Sequence, residues 1–223
     1  MAMSQKEFEK LTQALALEAQ GANLDYQLWQ SLTSATKQYE TELNQSCVFW
    51  QMTFEAHLNS CLFRLYRVYD HQKSSINLGR WLAMIKTNPS WFAEAAYKGR
   101  RPDSEYSGPP NAAQLANDIT FASDKANPLV KNLMAFRGNV LAHMGRKHVL
   151  RDRESPTGFK ITYGDVKTLV GQSMKIVNRY SQLYNGNQYS VIMAGINDFH
   201  FILDALRDRV EAIRDDKRRR MSL

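Results

Sequence analysis

The sequence predicts an all-α protein built as an antiparallel helical bundle. Apolar residues recur three and four positions apart in most long segments, which is the period of one helix face. Glycine and proline are sparse, with 11 and 6 among 223 residues, and they cluster in a few breaks. Helical runs joined by short breaks, without alternating strand patterns, are typical of a bundle. With 43% hydrophobic and 23% charged residues, the chain can bury a core and is unlike a disordered chain.

The first half of the chain predicts a helical arm followed by long helices. Residues 1–44 carry a helical pattern with a break near Gly21, so they form two helices or one bent helix. Residues 46–70 are strongly apolar and predict a central helix of the bundle. After a polar break, Ser75 is the predicted cap of a helix that ends before Asn88.

The second half continues with shorter helices and one long loop. A short helix at 91–98 precedes the polar loop 99–110. Asn111 is the predicted cap of a helix that runs to about residue 123. Pro128 suits the first turn of the helix after it, because its missing N–H is not needed there.

The last third predicts two amphipathic helices. Thr162 and Asp165 fit a capping box, and the pattern that follows stops at Asn185-Gly186-Asn187. A final helix is predicted from about residue 190 to 214. The segment Phe159-Lys160-Ile161 could form a short strand. We therefore divide the chain into an arm (1–44), a helical bundle (45–216) and a basic tail (217–223).

Charge and composition indicate what kind of partner the protein binds and in which cellular compartment it is expected. The net charge of +7 and the pI of about 9.4 suit a polyanionic partner, although the tail is interpreted mainly as a solvated, frayed end. No stretch is long and apolar enough for a membrane span and no signal core precedes the first helix, so we expect a cytoplasmic protein. Cys47 and Cys61 fall roughly 21 Å apart on one helix, too far for a disulfide, and are predicted to be small buried hydrophobes.

Most familiar chemistries lack a motif in this chain. The five histidines form no His-Glu-x-x-His pattern and the two cysteines form no Cys-x-x-Cys pattern, so we expect no zinc site and no other metal site. No phosphate-binding glycine loop, nucleophile elbow or dinucleotide fingerprint appears, so we expect no cofactor. His57 and His200 lie in apolar helical patterns and are interpreted as core or groove residues.

One segment does combine groups that can act on RNA. Arg137, Asn139 and His143 lie within an apolar helical pattern; Arg binds phosphate, and His moves protons near neutral pH. On an ideal helix Asn139 and His143 lie about 40° apart, whereas Arg137 lies about 120° from His143. Spacing alone leaves two interpretations open. The two groups form a site, because the long arginine curls round the helix or because a two-fold mate completes it, or the arginine pairs with a carboxylate and the histidine bonds inside the bundle.

The segment Phe136-Arg137-Gly138-Asn139-Val140-Leu141-Ala142-His143 resembles the Arg-x4-6-His motif of the HEPN superfamily. It is most similar to the abortive-infection branch, Abi type U, in which alanine directly precedes the histidine. The upstream segments Arg64–Asp70 and Ser75–Leu78 also resemble that branch. Gly138 departs from the pattern, because many active members carry Asn, Asp or His directly after the arginine.

The resemblance implies a HEPN-like four-helix core with extra helices. It implies metal-independent cleavage of RNA in phage defence or as a toxin, with Arg137, Asn139 and His143 as catalytic residues. Arg146, Lys147 and His148 could guide the RNA backbone or form only a solvated basic helix end. A homodimer is implied, with an antitoxin or regulatory protein as a further partner. The Gly138 departure favours the alternative of a non-catalytic HEPN module that binds RNA, nucleotide or a protein partner.

Overall fold

The protein is an all-α helical bundle. The computed structural model describes residues 4–72, 75–136 and 161–221, and none of these residues lies in a strand. Within those ranges, no helix combines the length and the apolar character needed to cross a bilayer. Two 3-10 turns, Asn44–Ser46 and Pro89–Phe92, connect helices. The helices are α1 (Gln5–Ala35), α2 (Glu40–Leu43), α3 (Cys47–Tyr69), α4 (Leu78–Thr87), α5 (Glu94–Arg100), α6 (Ala112–Ala122), α7 (Pro128–Phe136), α8 (Tyr163–Asn185) and α9 (Phe199–Met221).

Several predicted helix ends are confirmed by their capping contacts. The Asn111 side chain accepts a hydrogen bond from the Gln114 N–H at the start of α6. Thr162 and Asp165 form the reciprocal capping box at the start of α8. Gly186 ends α8 in the left-handed region at φ 73°, where a side chain would be strained.

Helix α1 is one continuous helix through Gly21, where the pattern suggested a break. The Arg64 side chain lies over this glycine, and a Cβ there would come within 2.5 Å of the Arg64 guanidinium. Gly21 therefore makes room for a neighbouring side chain and does not end the helix. Helical propensity lost at one glycine, about 1 kcal/mol, is small beside the packing of a 31-residue helix.

Three other predicted boundaries were wrong. Asn77, not Ser75, caps α4, because its Oδ1 accepts from the Arg80 N–H, whereas the Ser75 hydroxyl donates to the Gln72 carbonyl. The short helix at 91–98 is a 3-10 turn at Pro89–Phe92 followed by α5. The last helix begins at Phe199, because the chain turns at Gly195 with φ 74°.

The chain forms two compact units by its contacts. Unit 1 comprises Met1–Asn23 and Leu62–Val191, and unit 2 comprises Leu24–Cys61 and Ile192–Leu223. The core of unit 1 is rich in aromatic rings. Phe8 stacks on Trp81 at 6.1 Å between centroids and meets the Tyr184 ring edge at 5.0 Å. The buried Trp81 N–H donates to the Thr12 hydroxyl at 2.8 Å, so its polar atom is satisfied.

Unit 2 has a much smaller core, and its polar groups tie α9 to the chain around α2. The buried apolar cluster consists of Leu32, Ala35, Tyr39, Trp50, Phe199 and Leu203. The Tyr39 hydroxyl donates to Asp204 at 2.8 Å and lies 2.9 Å from Nδ1 of His200. Because the hydroxyl has only one proton, His200 Nδ1 must donate to it. Arg207 Nε donates to the buried Glu42 at 3.0 Å.

The cysteine, histidine and tail predictions have mixed outcomes. Cys47 and Cys61 are free thiols on α3, but only Cys61 is buried; Cys47 begins the exposed face of that helix. His57 is half-buried, with Nδ1 3.3 Å from Asp25, and His200 is half-buried against Tyr39, in agreement with the interpretation as packed histidines. The basic run 217–220 is exposed as predicted, but it is helical up to Met221 and so not frayed.

Candidate functional site

The residues predicted to act on RNA lie outside the described part of the chain. Arg137, Asn139 and His143, and the proposed RNA contacts Arg146, Lys147 and His148, all fall between positions 137 and 160. The described residues nearest to them in sequence are Phe136, the last residue of α7, and Ile161. What the structure defines is therefore the scaffold on both sides of the Arg–His segment.

Helix α7 leads directly into that segment and is firmly anchored. Asn127 Oδ1 accepts from the Leu129 N–H at 3.0 Å, and its amide donates to the Phe121 carbonyl at 2.8 Å. Val130 and Leu133 are fully buried. Each such side chain stabilises its position by roughly 1.5–3 kcal/mol through burial. The residue before Arg137 thus belongs to a helix fixed at its start and along one face.

A buried carboxylate links α6 to α8, the helix that follows the segment. Asp118 is only 6% exposed. Its Oδ2 accepts from Arg179 and from the Tyr180 hydroxyl, the latter at 2.8 Å, and its Oδ1 accepts from the Gln114 amide at 3.0 Å. Burial, and then the hydrogen bond to Asp118, raise the pKa of Tyr180, so its hydroxyl stays a donor. The network fixes the position of α8 relative to α6.

The second segment of family resemblance, Arg64–Asp70, is also part of the scaffold. The buried Tyr69 hydroxyl donates to the Leu169 carbonyl at 2.9 Å and so joins α3 to α8. Arg64 and Arg67 both contact Glu18, at 3.4 and 3.2 Å. These contacts give the segment a structural role in holding α1, α3 and α8 together. They do not depend on a ligand.

Unit 1 also contains an open cleft between the start of α1 and the end of α8. It has a volume of about 440 Å³, within the usual range of ligand sites. The Tyr184 hydroxyl donates to Glu9 at 3.1 Å, and the Arg100 guanidinium lies 3.9 Å above the Tyr184 ring. Burial raises the pKa of Tyr184 to about 12, against the lowering effect of Arg100. The cleft is lined by Lys6, Glu9, Lys10, Thr12, Gln13, Tyr184, Asn185, Asn187 and Tyr189.

Sequence reasoning missed both the Asp118 network and this cleft. The signal for the first was present, because Asp118 is the lone acid within an apolar helical pattern in α6. Such a residue usually needs a buried cation or donors. The cleft gave no such signal, since its residues come from distant parts of the chain. Among the described residues, no three His, Cys, Asp or Glu side chains form a group that could hold a metal ion.

The comparison with protein families agrees with this architecture. The HEPN_AbiU2 family model, described as AbiU2, matches residues 5–213, almost the whole chain. The comparisons with curated proteins and with solved structures gave no match. The matched region contains the Arg64–Asp70 scaffold segment, the anchored helix α7 and the Arg137–His143 segment that follows it. The chain belongs to the AbiU2 family of HEPN proteins.

Proposed function

We propose that the protein is a HEPN-type, metal-independent endoribonuclease that acts in phage defence or as a toxin. The observation that carries the proposal is the Arg137–His143 motif inside a chain matched by the AbiU2 family model over residues 5–213. The basic net charge of +7 supports a polyanionic substrate. The proposal includes a cytoplasmic homodimer and an antitoxin or other regulatory protein as a partner.

The proposed chemistry uses the RNA's own 2′-hydroxyl. That oxygen attacks the neighbouring phosphorus, the bond to the 5′-oxygen breaks, and a 2′,3′-cyclic phosphate and a 5′-hydroxyl result. His143 accepts the 2′ proton or donates a proton to the leaving oxygen, a role worth about 10² to 10⁴-fold in rate. Arg137 holds the phosphate and stabilises its developing negative charge. Asn139 orients the phosphate or the imidazole.

The scaffold supports this assignment. A site for phosphoryl chemistry must hold its groups to within about half an ångström, so the helices that carry it must be fixed. Helix α7 before the motif is anchored by Asn127, Val130 and Leu133, and α8 after it is fixed by the Asp118 network. Arg146, Lys147 and His148 are proposed to guide the RNA backbone.

A non-catalytic HEPN module that binds RNA, nucleotide or a protein partner is the second candidate. Gly138 favours it, since many active members of the family carry a polar residue at that position. This candidate needs the same fold and the same basic charge. When its ligand is RNA it differs from the nuclease only in turnover, so the two are distinguished by measuring cleavage and RNA binding side by side.

The test is RNA cleavage in the presence of a chelator by wild type, Arg137→Ala and His143→Ala. His57→Ala is the matched control, because His57 is half-buried and contacts Asp25 within unit 2. We expect cleavage by wild type and His57→Ala, loss of at least about 100-fold in the other two, and unchanged circular dichroism in all. RNA binding without cleavage would select the non-catalytic module. Absence of both would refute the nuclease and RNA-binding assignments.

A further inference from the structure

The open cleft between the start of α1 and the end of α8 has walls that are fixed by hydrogen bonds. On its α8 side, the Asn178 side chain accepts from the Tyr189 N–H at 2.7 Å and donates to the Tyr189 carbonyl at 3.0 Å. Arg101 donates to the Asn185 carbonyl and to Oδ1 of Asn187, both at 2.7 Å. The opposite wall is the continuous helix α1. A cleft with fixed walls needs little ordering when a ligand binds, so it is suited to binding.

The cleft is basic. Lys6 and Lys10 line it from α1, and Arg100 and Arg101 bind carbonyl groups at the end of α8, whose residues line its other side. Glu9 is the only acid among the described residues that line it. Within the described ranges the two lysine amines form no ion pair, and the two guanidinium groups donate to carbonyl oxygens and not to carboxylates. Four cations and one carboxylate leave a net positive charge, which attracts an anionic ligand.

The uncharged lining residues add hydrogen-bond donors and an aromatic ring. Within the described part of the chain, the Asn187 side chain bonds only through Oδ1, so its amide N–H groups remain available to a ligand. Tyr189 lines the cleft and is half-buried, so part of its ring is open to a ligand. The Tyr184 hydroxyl donates to Glu9 at 3.1 Å and so fixes the one carboxylate. Proteins bind single-stranded nucleic acid with this combination, placing phosphates on cations and bases on aromatic rings.

We propose that this cleft is a second RNA-binding site, which holds one nucleotide of a single-stranded RNA away from the cleavage site. Lys6 and Lys10 contact the phosphates on either side of that nucleotide, and its base stacks on Tyr189. A volume of about 440 Å³ admits a nucleotide and not a duplex. The choice of RNA rests on the proposed function, whereas the preference for phosphate attached to a ring rests on the residues of the cleft.

The spacing and the exposure of the two lysines favour a strand over a small anion. Lys6 and Lys10 are four residues apart, so their backbones lie about 6 Å apart along α1, comparable to the separation of successive phosphates in a strand. Both lysines are exposed, where water and salt weaken the attraction of a single anion. A strand gains from several phosphates at once and from the release of its counterions. The net charge of +7 over the whole chain adds to this gain.

The test is fluorescence anisotropy with a 2′-O-methylated single-stranded RNA, which the proposed 2′-hydroxyl attack cannot cleave. We expect Lys6→Gln/Lys10→Gln to weaken binding about tenfold and to flatten the slope of log K against log salt by about 1.4, the value for two phosphate contacts on a single strand. Lys86→Gln/Lys175→Gln is the matched control, because it removes the same charge from exposed lysines of unit 1 that do not line the cleft. The control should bind RNA like wild type.

A pair of variants at Tyr189 tests base stacking in a way that does not depend on charge. Both Tyr189→Phe and Tyr189→Leu remove the hydroxyl, but only the second removes the ring. We expect Tyr189→Phe to keep the affinity for RNA and Tyr189→Leu to weaken it about tenfold, the effect of losing one stacked base. Circular dichroism should be unchanged in both. Equal affinities of the two variants contradict the stacking.

Competition with adenosine monophosphate distinguishes a strand from a free nucleotide. We expect about 1 mM of it to leave the RNA bound, because one nucleotide makes only part of the contacts of a strand. Displacement of the RNA would identify a free nucleotide as the ligand and overturn the proposal.

The outcomes separate this site from the ribonuclease. Equal weakening by the cleft variant and the control variant would overturn the second site, and so would RNA cleavage by a wild type whose RNA binding the cleft variant leaves intact. RNA binding that depends on Lys6 and Lys10 supports the second site even where no cleavage is measured. Absence of RNA binding by wild type would overturn the second site together with the proposed function.

Discussion

Replacing Asp118 by alanine should destabilise the fold, because it removes the carboxylate that joins α6 to α8. The Asp118 carboxylate accepts hydrogen bonds from Arg179, the Tyr180 hydroxyl and the Gln114 amide. Its removal leaves the buried Tyr180 phenol and the partly exposed Arg179 guanidinium without their acceptor. The Tyr180→Phe variant is the matched comparison, because it deletes one of the same hydrogen bonds and keeps the ring that packs on Trp81.

The magnitude follows from burial. Breaking a buried ion pair by removing one partner costs about 3–5 kcal/mol. Arg179 is 34% exposed and can turn toward water, so the low end applies, and we expect Asp118→Ala to cost about 3 kcal/mol. Tyr180→Phe loses one hydrogen bond and should cost about 1 kcal/mol. In a chain of 223 residues, about 3 kcal/mol corresponds to a fall in Tm of roughly 6–12 °C.

The assay is urea unfolding followed by circular dichroism, with the free energy extrapolated to water. The double variant should cost less than the sum of the singles, because Tyr180 has already lost its acceptor in Asp118→Ala. The slope of the free energy against urea should not change. A cost of under about 1 kcal/mol for Asp118→Ala, or strict additivity in the double variant, would refute this account of the network.

Two further predictions concern tyrosines. Burial raises the pKa of Tyr184 from 10.0 to about 12, so between these values the folded state keeps a proton that the unfolded state releases, and the contribution of Tyr184 to stability should be constant below pH 10 and fall between pH 10 and 12. Urea unfolding at several pH values between 10 and 12 checks this prediction. The Tyr184→Phe variant should lose less stability than wild type over that range, and an equal loss in the two proteins would contradict the prediction. In unit 2, Tyr39→Phe removes the hydroxyl between Asp204 and His200 and should cost about 1 kcal/mol, measured by thermal unfolding. A variant as stable as wild type would contradict this prediction.

The helices were predictable from the sequence wherever local signals agreed. Thr162 and Asp165 begin α8 and Gly186 ends it, because these residues satisfy backbone groups within a few positions of themselves. The prediction of Ser75 as a helix cap was wrong for a local reason, since Asn77 two residues later is an equally good acceptor and lies next to the helix. The break predicted at Gly21 was wrong for a tertiary reason, because the helix continues through this glycine and the Arg64 side chain packs over it.

The scaffold around the candidate site was less predictable than the motif itself. Arg137 and His143 are close in sequence, so their pattern was visible without a structure. Asp118 and Arg179 are 61 positions apart, and nothing in either local pattern names the other. Cys47 was assigned to the core because cysteine is usually buried, but its helix begins on an exposed face.

The sequence by itself determined that the chain is helical, where α6 and α8 begin, and that an Arg–His motif follows α7. These are short-range properties, set by backbone hydrogen bonding and by residue order. Only the tertiary structure decided which faces are covered: it buried Asp118 under Arg179 and left Phe49 and Met52 exposed on α3. The physical reason is that burial depends on what lies across from a side chain, and that neighbour is distant in the sequence, 61 positions away for Asp118 and Arg179.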